Sequence, residues 1–177
     1  MTARPYTVLF LCTHNSARSV LAESILNAVG KGLFKAYSAG STPRGTVNPL
    51  ALTTLAERGH DVSGLRSKSW DAFAATDAPR FDFIFTLCDD AAAETCPVWP
   101  GHPTTGHWGM PDPSRTDGGQ EGQRAAFSEA YARLDAHLRD FVELARASDS
   151  VADLKTRLAP LAERFHAVNR VPYGGGA

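Results

Sequence analysis

The chain of 177 residues is short of several things. It has three cysteines, two methionines, no run of basic residues and a net charge of only −1. Its longest apolar run is far too short to cross a bilayer. The opening Met1-Thr2-Ala3-Arg4-Pro5 lacks the apolar core of an export signal. Each shortage excludes something. Balanced charge without a basic patch argues against nucleic acid and against an anionic membrane surface as partners. The missing leader and span point to a cytoplasmic protein, where three cysteines do not make a structural disulfide framework. They are core residues, metal ligands or redox groups. The remainder is ordinary: 43% hydrophobic and 21% charged residues, in a length that suits one domain with a substantial core.

The most informative stretch is Cys12-Thr13-His14-Asn15-Ser16-Ala17-Arg18-Ser19. Before it stands the apolar, partly β-branched run Thr7 to Leu11, which reads as a buried strand. After it, Val20 to Val29 is patterned as a helix that stops at Gly30. A short loop opening a helix aims backbone N–H groups at one point, and the helix dipole adds partial positive charge. A tetrahedral oxyanion suits that concavity. Arg18 adds a planar two-pronged donor. Cys12, at the base, feels the same field, which favours its thiolate. Ser19 is placed to cap the helix or to donate to the Cys12 sulfur. Asn15 tolerates left-handed backbone and can tie the loop with its amide.

With its strand and helix, Val8 to Ser19 followed by Ala22-Glu23 resembles the phosphate loop of the low-molecular-weight protein tyrosine phosphatase superfamily, and most closely its arsenate reductase branch. The resemblance runs to about residue 145. It implies an α/β fold: a single domain with a four-stranded parallel sheet flanked by helices, over residues 1–147, with 148–177 as a C-terminal helical extension and flexible tail. It implies Cys12 as nucleophile and Thr13, His14, Asn15, Ser16, Ala17, Arg18 and Ser19 as the oxyanion cradle. Ser38, in Ser38-Ala39-Gly40, resembles the serine that supports the loop from the second strand. Glu23 reads from the residues alone as a solvated helix carboxylate. In the family a glutamate here sits behind the loop and, in some reductases, helps bind a potassium ion.

Further along, Phe34 to Ser38 reads as a second strand and Asn48 to Arg58 as a helix, while Trp70 and Phe73 anchor a short one. Phe81 to Leu87 reads as a third strand, Thr105 to Trp108 as a fourth, and Glu121 to Ala147 as a long amphipathic helix. A second helical pattern spans Val151 to Phe165, broken or kinked at Pro160. The third strand leads into Cys88, and Asp89 to Cys96 reads as a short helix ended by Pro97. In open parallel sheets sites gather at the carboxyl ends of strands, so Cys12 and Cys88 share an edge.

Cys88 and Cys96 are too widely spaced for a zinc knuckle, so no metal site is expected. On one helix they would stand roughly 12 Å apart, whereas a disulfide needs Cα atoms within about 7 Å. A bond between them requires the intervening segment to unwind. The resemblance implies that relay: Cys88 and Cys96 as the redox pair, discharged by thioredoxin, or by glutathione or mycothiol with a glutaredoxin-like partner, and no bound cofactor. Asp112-Pro113 resembles the family's general-acid loop. Ser114 and Arg115 follow, where phosphatases carry aromatic residues, and a small inorganic oxyanion fits better: arsenate, with phosphate or sulfate as mimics. The expected function is arsenate reduction to arsenite. The alternatives are a phosphotyrosine or phosphomonoester phosphatase using Cys12, Arg18 and Asp112 alone, and a non-enzymatic oxyanion-binding module.

Overall fold

The computed structural model describes residues 4–89, 91, 99–101 and 103–175. Its elements are β1 (Tyr6–Cys12), α1 (Arg18–Val29), β2 (Phe34–Gly40), α2 (Pro49–Ala56), β3 (Phe83–Thr86), β4 (Thr104–His107), α3 (Gly119–Arg146), α4 (Val151–Thr156) and α5 (Leu158–Asn169). Short 3₁₀ turns occupy Trp70–Phe73 and Pro113–Arg115. The four strands form one sheet in the order β2-β1-β3-β4, and every pairing is parallel.

The sheet is covered on both faces, which explains why β1 reads as a continuous apolar run. Val8 and Phe10 point to one face, Leu9 and Leu11 to the other, and all four are fully buried. On the first face α1, α2, α3 and α5 close over Phe83 and Phe85 with Leu21, Ile25, Leu134, Leu138 and Phe141. Phe85 stacks on Trp108 with ring centroids 3.5 Å apart, and Phe141 meets both rings edge-on. Such pairs add about 1 kcal/mol beyond the area they bury. His137 is wedged between Trp108 and Phe165, and its burial pulls the imidazole pKa down to about 3. The second face is thinner: Leu9, Leu11, Ala39 and Ile84 are covered by Phe73, Phe81 and Trp99.

Parallel strands need crossovers, and the helices supply them. Asn48 caps α2 through Leu50 N (2.9 Å), ahead of Pro49 at its first position. At the C-terminal end, the expected break at Pro160 falls elsewhere. The chain turns at Arg157, between α4 and α5, and Pro160 lies in the first turn of α5, where a missing N–H leaves no bond unmade. The helix runs on to Asn169. Leu154, Leu161, Phe165 and Tyr173 join the same core as α3 and the sheet. The third strand is shorter than its apolar run: Phe81 turns into the cover of the second face, and pairing stops at Thr86. Of the helix expected at Asp89 to Cys96, only Asp89 and Ala91 are among the described residues; Cys96 lies outside them.

Candidate active site

All four strands deliver their carboxyl ends to one edge, where β1 runs into the loop 13–17 and α1 begins at Arg18. Three of the loop's carbonyls are taken by groups outside it. Thr42 N donates to Thr13 O (2.9 Å), Arg44 N and the Ser67 hydroxyl to His14 O (both 3.1 Å), and Asn48 N to Ser16 O (2.8 Å). Among the described residues, no amide of 14–17 is spent on another protein group. The loop therefore presents N–H groups inward over Cys12, the arrangement that binds anions. Cys12, His14, Ser16, Ala17, Arg18 and Asp112 line the resulting cup.

Asn15 is the knot of the loop. It is fully buried and holds a left-handed φ of 45°, a conformation that asparagine tolerates. Its Nδ2 donates to Ser19 Oγ (2.8 Å) and Ser38 Oγ (3.0 Å), and its Oδ1 accepts from Lys68 N (2.9 Å). Ser19 Oγ lies 2.9 Å from Cys12 Sγ. Because that hydroxyl already accepts from Asn15, its proton is free for the sulfur, which favours the thiolate. Of the two roles open to Ser19, the structure has the sulfur contact; the helix start carries no side-chain cap. Gly40, opposite Cys12 in the sheet register, lets the loop lie flat: a Cβ there would meet Thr13 O at 2.6 Å and Asn15 N at 2.9 Å.

Arg18 reaches across to the loop after β4. Its Nη1 donates to Met110 O (3.0 Å) and its Nη2 lies 3.5 Å from Asp112 Oδ2. Asp112 Oδ1 accepts from Ser114 N (2.9 Å) and the Ser114 hydroxyl (2.7 Å). Burial pushes the Asp112 carboxyl up, but Arg18, Ser114 and Arg115 outweigh it, and the group sits below its ordinary range. An oxyanion sharing Arg18 divides that countercharge and lifts Asp112 toward the protonated form.

Cys88 lies two residues past β3 and is buried, in one small cluster with Cys12 and Ala91. Its sulfur accepts from Thr13 N (3.3 Å) and Ala91 N (3.4 Å) and lies 3.4 Å from the Thr13 hydroxyl. The two sulfurs thus share the rim of one loop. Both are free thiols.

Behind the loop, Glu23 is a correction. It is not a solvated carboxylate: its side chain is 15% exposed, Ser38 Oγ donates to it at 2.5 Å, and Lys68 Nζ stands 4.0 Å away. Burial raises the Glu23 carboxyl and lowers the Lys68 ammonium, each partly offset by the other. Lys68 is one of the residues that sequence reasoning passes over, because its side chain meets Glu23 only through the fold. His107 is another: it lies 2.8 Å from the Thr86 hydroxyl and 2.9 Å from Asp89. Tyr173 is a third. It lines, with Pro172, a cleft of about 630 Å³ that opens from the cup between Cys88-Asp89 and Arg115–Asp117. Among the described residues no group of three or more His, Cys, Asp or Glu is placed to hold a metal, and no helix is long and apolar enough to cross a membrane.

Comparison with known proteins agrees with this geometry. A family model described as low molecular weight phosphotyrosine protein phosphatase matches residues 7–153. The arsenate reductase of Bacillus subtilis (strain 168) is 37% identical over 136 residues, 77% of this chain and 94% of the relative. Among solved structures, the arsenate reductase from Archaeoglobus fulgidus DSM 4304 superposes with a TM-score of 0.60 at 31% identity, covering 77% of this chain and 98% of that one. A thioredoxin-dependent arsenate reductase from Corynebacterium glutamicum gives 0.61 at 25% identity, covering 83% of this chain and 65% of its own.

Proposed function

The chain belongs to the low molecular weight phosphotyrosine protein phosphatase family, and from that footing we propose that it is an arsenate reductase, working through thiols of its own. The observation that carries the reading is the second buried sulfur. A phosphatase needs one nucleophilic cysteine, an arginine and an acid; here Cys88 shares a buried cluster with Cys12 on the same loop. The names of the relatives point the same way.

In the proposed reaction, arsenate sits over the free amides of residues 14–17 and against Arg18. The Cys12 thiolate attacks arsenic and forms a sulfur–arsenic bond. Asp112, lifted by the bound anion, protonates the departing oxygen, which leaves as water. The Cys88 thiolate then attacks Cys12 Sγ. The electron pair of the sulfur–arsenic bond passes to arsenic, arsenite leaves, and a Cys12–Cys88 disulfide forms. Cys96 attacks Cys88 in turn, freeing Cys12 and leaving a Cys88–Cys96 disulfide. The reductant that closes the cycle is external: a thioredoxin-like protein, or glutathione or mycothiol with a glutaredoxin-like protein acting earlier in the relay. Asn15, Ser19, Ser38 and Glu23 keep the cradle in shape. The donor set behind the loop does not suit potassium, because the Lys68 ammonium already supplies a positive charge beside Glu23. The setting is cytoplasmic, where such thiols stay reduced.

The test is arsenite formation from arsenate with thioredoxin, glutaredoxin–glutathione and mycothiol–mycoredoxin systems supplied in turn. Wild type is compared with Cys12→Ser, Cys88→Ser and Cys96→Ser. Loss in all three variants with thioredoxin as donor supports the internal relay. Turnover that survives Cys96→Ser moves the final step to a small thiol. No arsenite with any donor, while phosphate esters are still hydrolysed, overturns the reductase reading in favour of the phosphatase.

A further inference from the structure

The C-terminal segment beyond α5 lies outside the stretch matched by the family model, which ends at residue 153. It does not trail away. Arg133 of α3 donates to Val171 O (2.8 Å) and Asn169 Oδ1 (3.3 Å), and its guanidinium lies over the Tyr173 ring, 4.7 Å from the centroid. Glu129, paired with Arg133, accepts from Gly174 N (3.1 Å). The segment is thus pinned on both sides of Tyr173. From there the Tyr173 hydroxyl donates to Pro111 O at 2.8 Å. Pro111 sits between Met110, whose carbonyl takes one prong of Arg18, and Asp112, which faces the other.

We propose that Tyr173 is a positioning residue for the oxyanion site, its hydroxyl strapping the Met110–Asp112 loop so that Arg18 and Asp112 are held over Cys12. The proposal deepens the arsenate-reductase reading and rests on it for the catalytic consequence. Four features support it. Pro111 is flanked by the two groups that fix Arg18, so movement of one carbonyl shifts both. The Tyr173 ring is buried and braced by Arg133, so the hydroxyl is aimed rather than loosely swinging. Burial also holds its proton on, with Arg133 and Arg18 pulling the other way, so it remains a donor at any ordinary pH. A proline carbonyl in a loop has no helix or strand partner, and this bond is the one given to it among the described residues.

The experiment uses the full chain and Tyr173→Phe, which keeps the ring on Arg133 and removes only the hydroxyl. The first readout is how much inorganic phosphate halves the rate at which iodoacetamide alkylates Cys12, followed by mass spectrometry. It needs no arsenate turnover, so its failure is separable from failure of the reductase reading. The second is the split between kcat and KM for arsenate. Loss of one uncharged hydrogen bond predicts that about fivefold more phosphate is needed, and that kcat/KM falls by at least as much, with the melting temperature well above the assay. Glu129→Gln, which loosens the strap at Gly174 and leaves the hydroxyl in place, is expected to give a smaller change in the same direction. Unchanged phosphate protection and unchanged kcat/KM in Tyr173→Phe overturn the proposal. So does a fall in melting temperature with no change in either readout, because that is a packing role alone.

Discussion

The two buried thiols stand on one loop but are held very differently. Cys12 ends a strand paired on both sides, rests against Gly40 and takes the Ser19 hydroxyl. Behind it runs a closed web of Asn15, Ser38, Glu23 and Lys68. Cys88 lies past the last paired residue of β3, and among the described residues its polar contacts come from Thr13 and Ala91. The segment it opens is tied by Asp89 to His107, and the Asp89 side chain is 94% exposed. The lesson is a division of labour. In the proposed reaction the first of these thiols meets arsenate in one geometry, and its surroundings hold it in one place, while the second attacks one sulfur and then accepts attack from another, and among the described residues fewer groups hold it.

Five changes break or sharpen that contrast, and a sixth lies outside it. Cys12→Ser should abolish both arsenite formation and any phosphate-ester hydrolysis, by about a thousandfold or more. Cys88→Ser should abolish arsenite formation while leaving ester hydrolysis within about threefold. Equal loss of both activities in that variant erases the distinction between the thiols. Gly40→Ala tests how tightly the first thiol is locked: the added methyl must push the loop at Thr13 and Asn15, and a shift of about 1 Å is expected to cost up to a hundredfold in kcat/KM. Wild-type kinetics in this variant would show a loop freer than the contacts suggest.

The next two changes are smaller. With Lys68 in place, turnover in potassium and in sodium buffers should agree within about twofold. Lys68→Met leaves Glu23 uncompensated, should slow turnover about tenfold, and should make it responsive to potassium. A strong potassium response of the wild type contradicts the built-in cation. Asp89→Asn weakens an exposed pair and should alter turnover by less than about threefold. A large effect would mean that the second thiol is held more firmly than its surroundings indicate.

The last change touches neither thiol. His137 is folded with its pKa near 3, against 6.5 for a free side chain, so the unfolded chain binds the extra proton between those values. Stability therefore falls as pH drops below about 6.5 and levels off near 3. At pH 5 this accounts for about 2 kcal/mol. His137→Phe should flatten that part of the acid melt, measured as urea midpoints at pH 5 and 7, and leave arsenite formation unchanged.

The legible parts of the molecule were those written in consecutive residues. The strand, loop and helix around Cys12, the order of elements and the approach of Cys88 to the same edge follow from local pattern and from the rule that parallel strands deliver sites at their carboxyl ends. Asn15 and Ser19 were readable because they lie in the same short loop-and-helix stretch as Cys12 and bond to one another four residues apart, although Asn15 also reaches Ser38 and Lys68, which no local pattern tells. From its neighbours alone Glu23 reads as solvated, because nothing near it in sequence tells that Ser38 and Lys68 close over it; only the family resemblance put it behind the loop. Tyr173 was invisible for the same reason on a larger scale: it stands 62 residues from Pro111, and no local signal marks an aromatic that folds back over a loop. Pro160 misled in the other direction, since a proline breaks a helix in its interior but fits its first turn.

The cradle's carbonyls and buried side chains are secured by Ser38, Thr42, Arg44, Asn48, Ser67 and Lys68, with Arg18 fastened to Met110. These groups come together only when the chain is folded, so the unfolded polypeptide has nothing comparable to offer an oxyanion. Affinity at the cradle is therefore thermodynamically linked to the whole fold. Phosphate or arsenate at a hundred times its dissociation constant should add about 2.7 kcal/mol of stability by mass action. In a chain of this size that raises the melting temperature by several degrees. On the proposed function, inorganic phosphate, usually treated as an inert buffer, is expected to act as a folding ligand, seen as that rise in melting temperature.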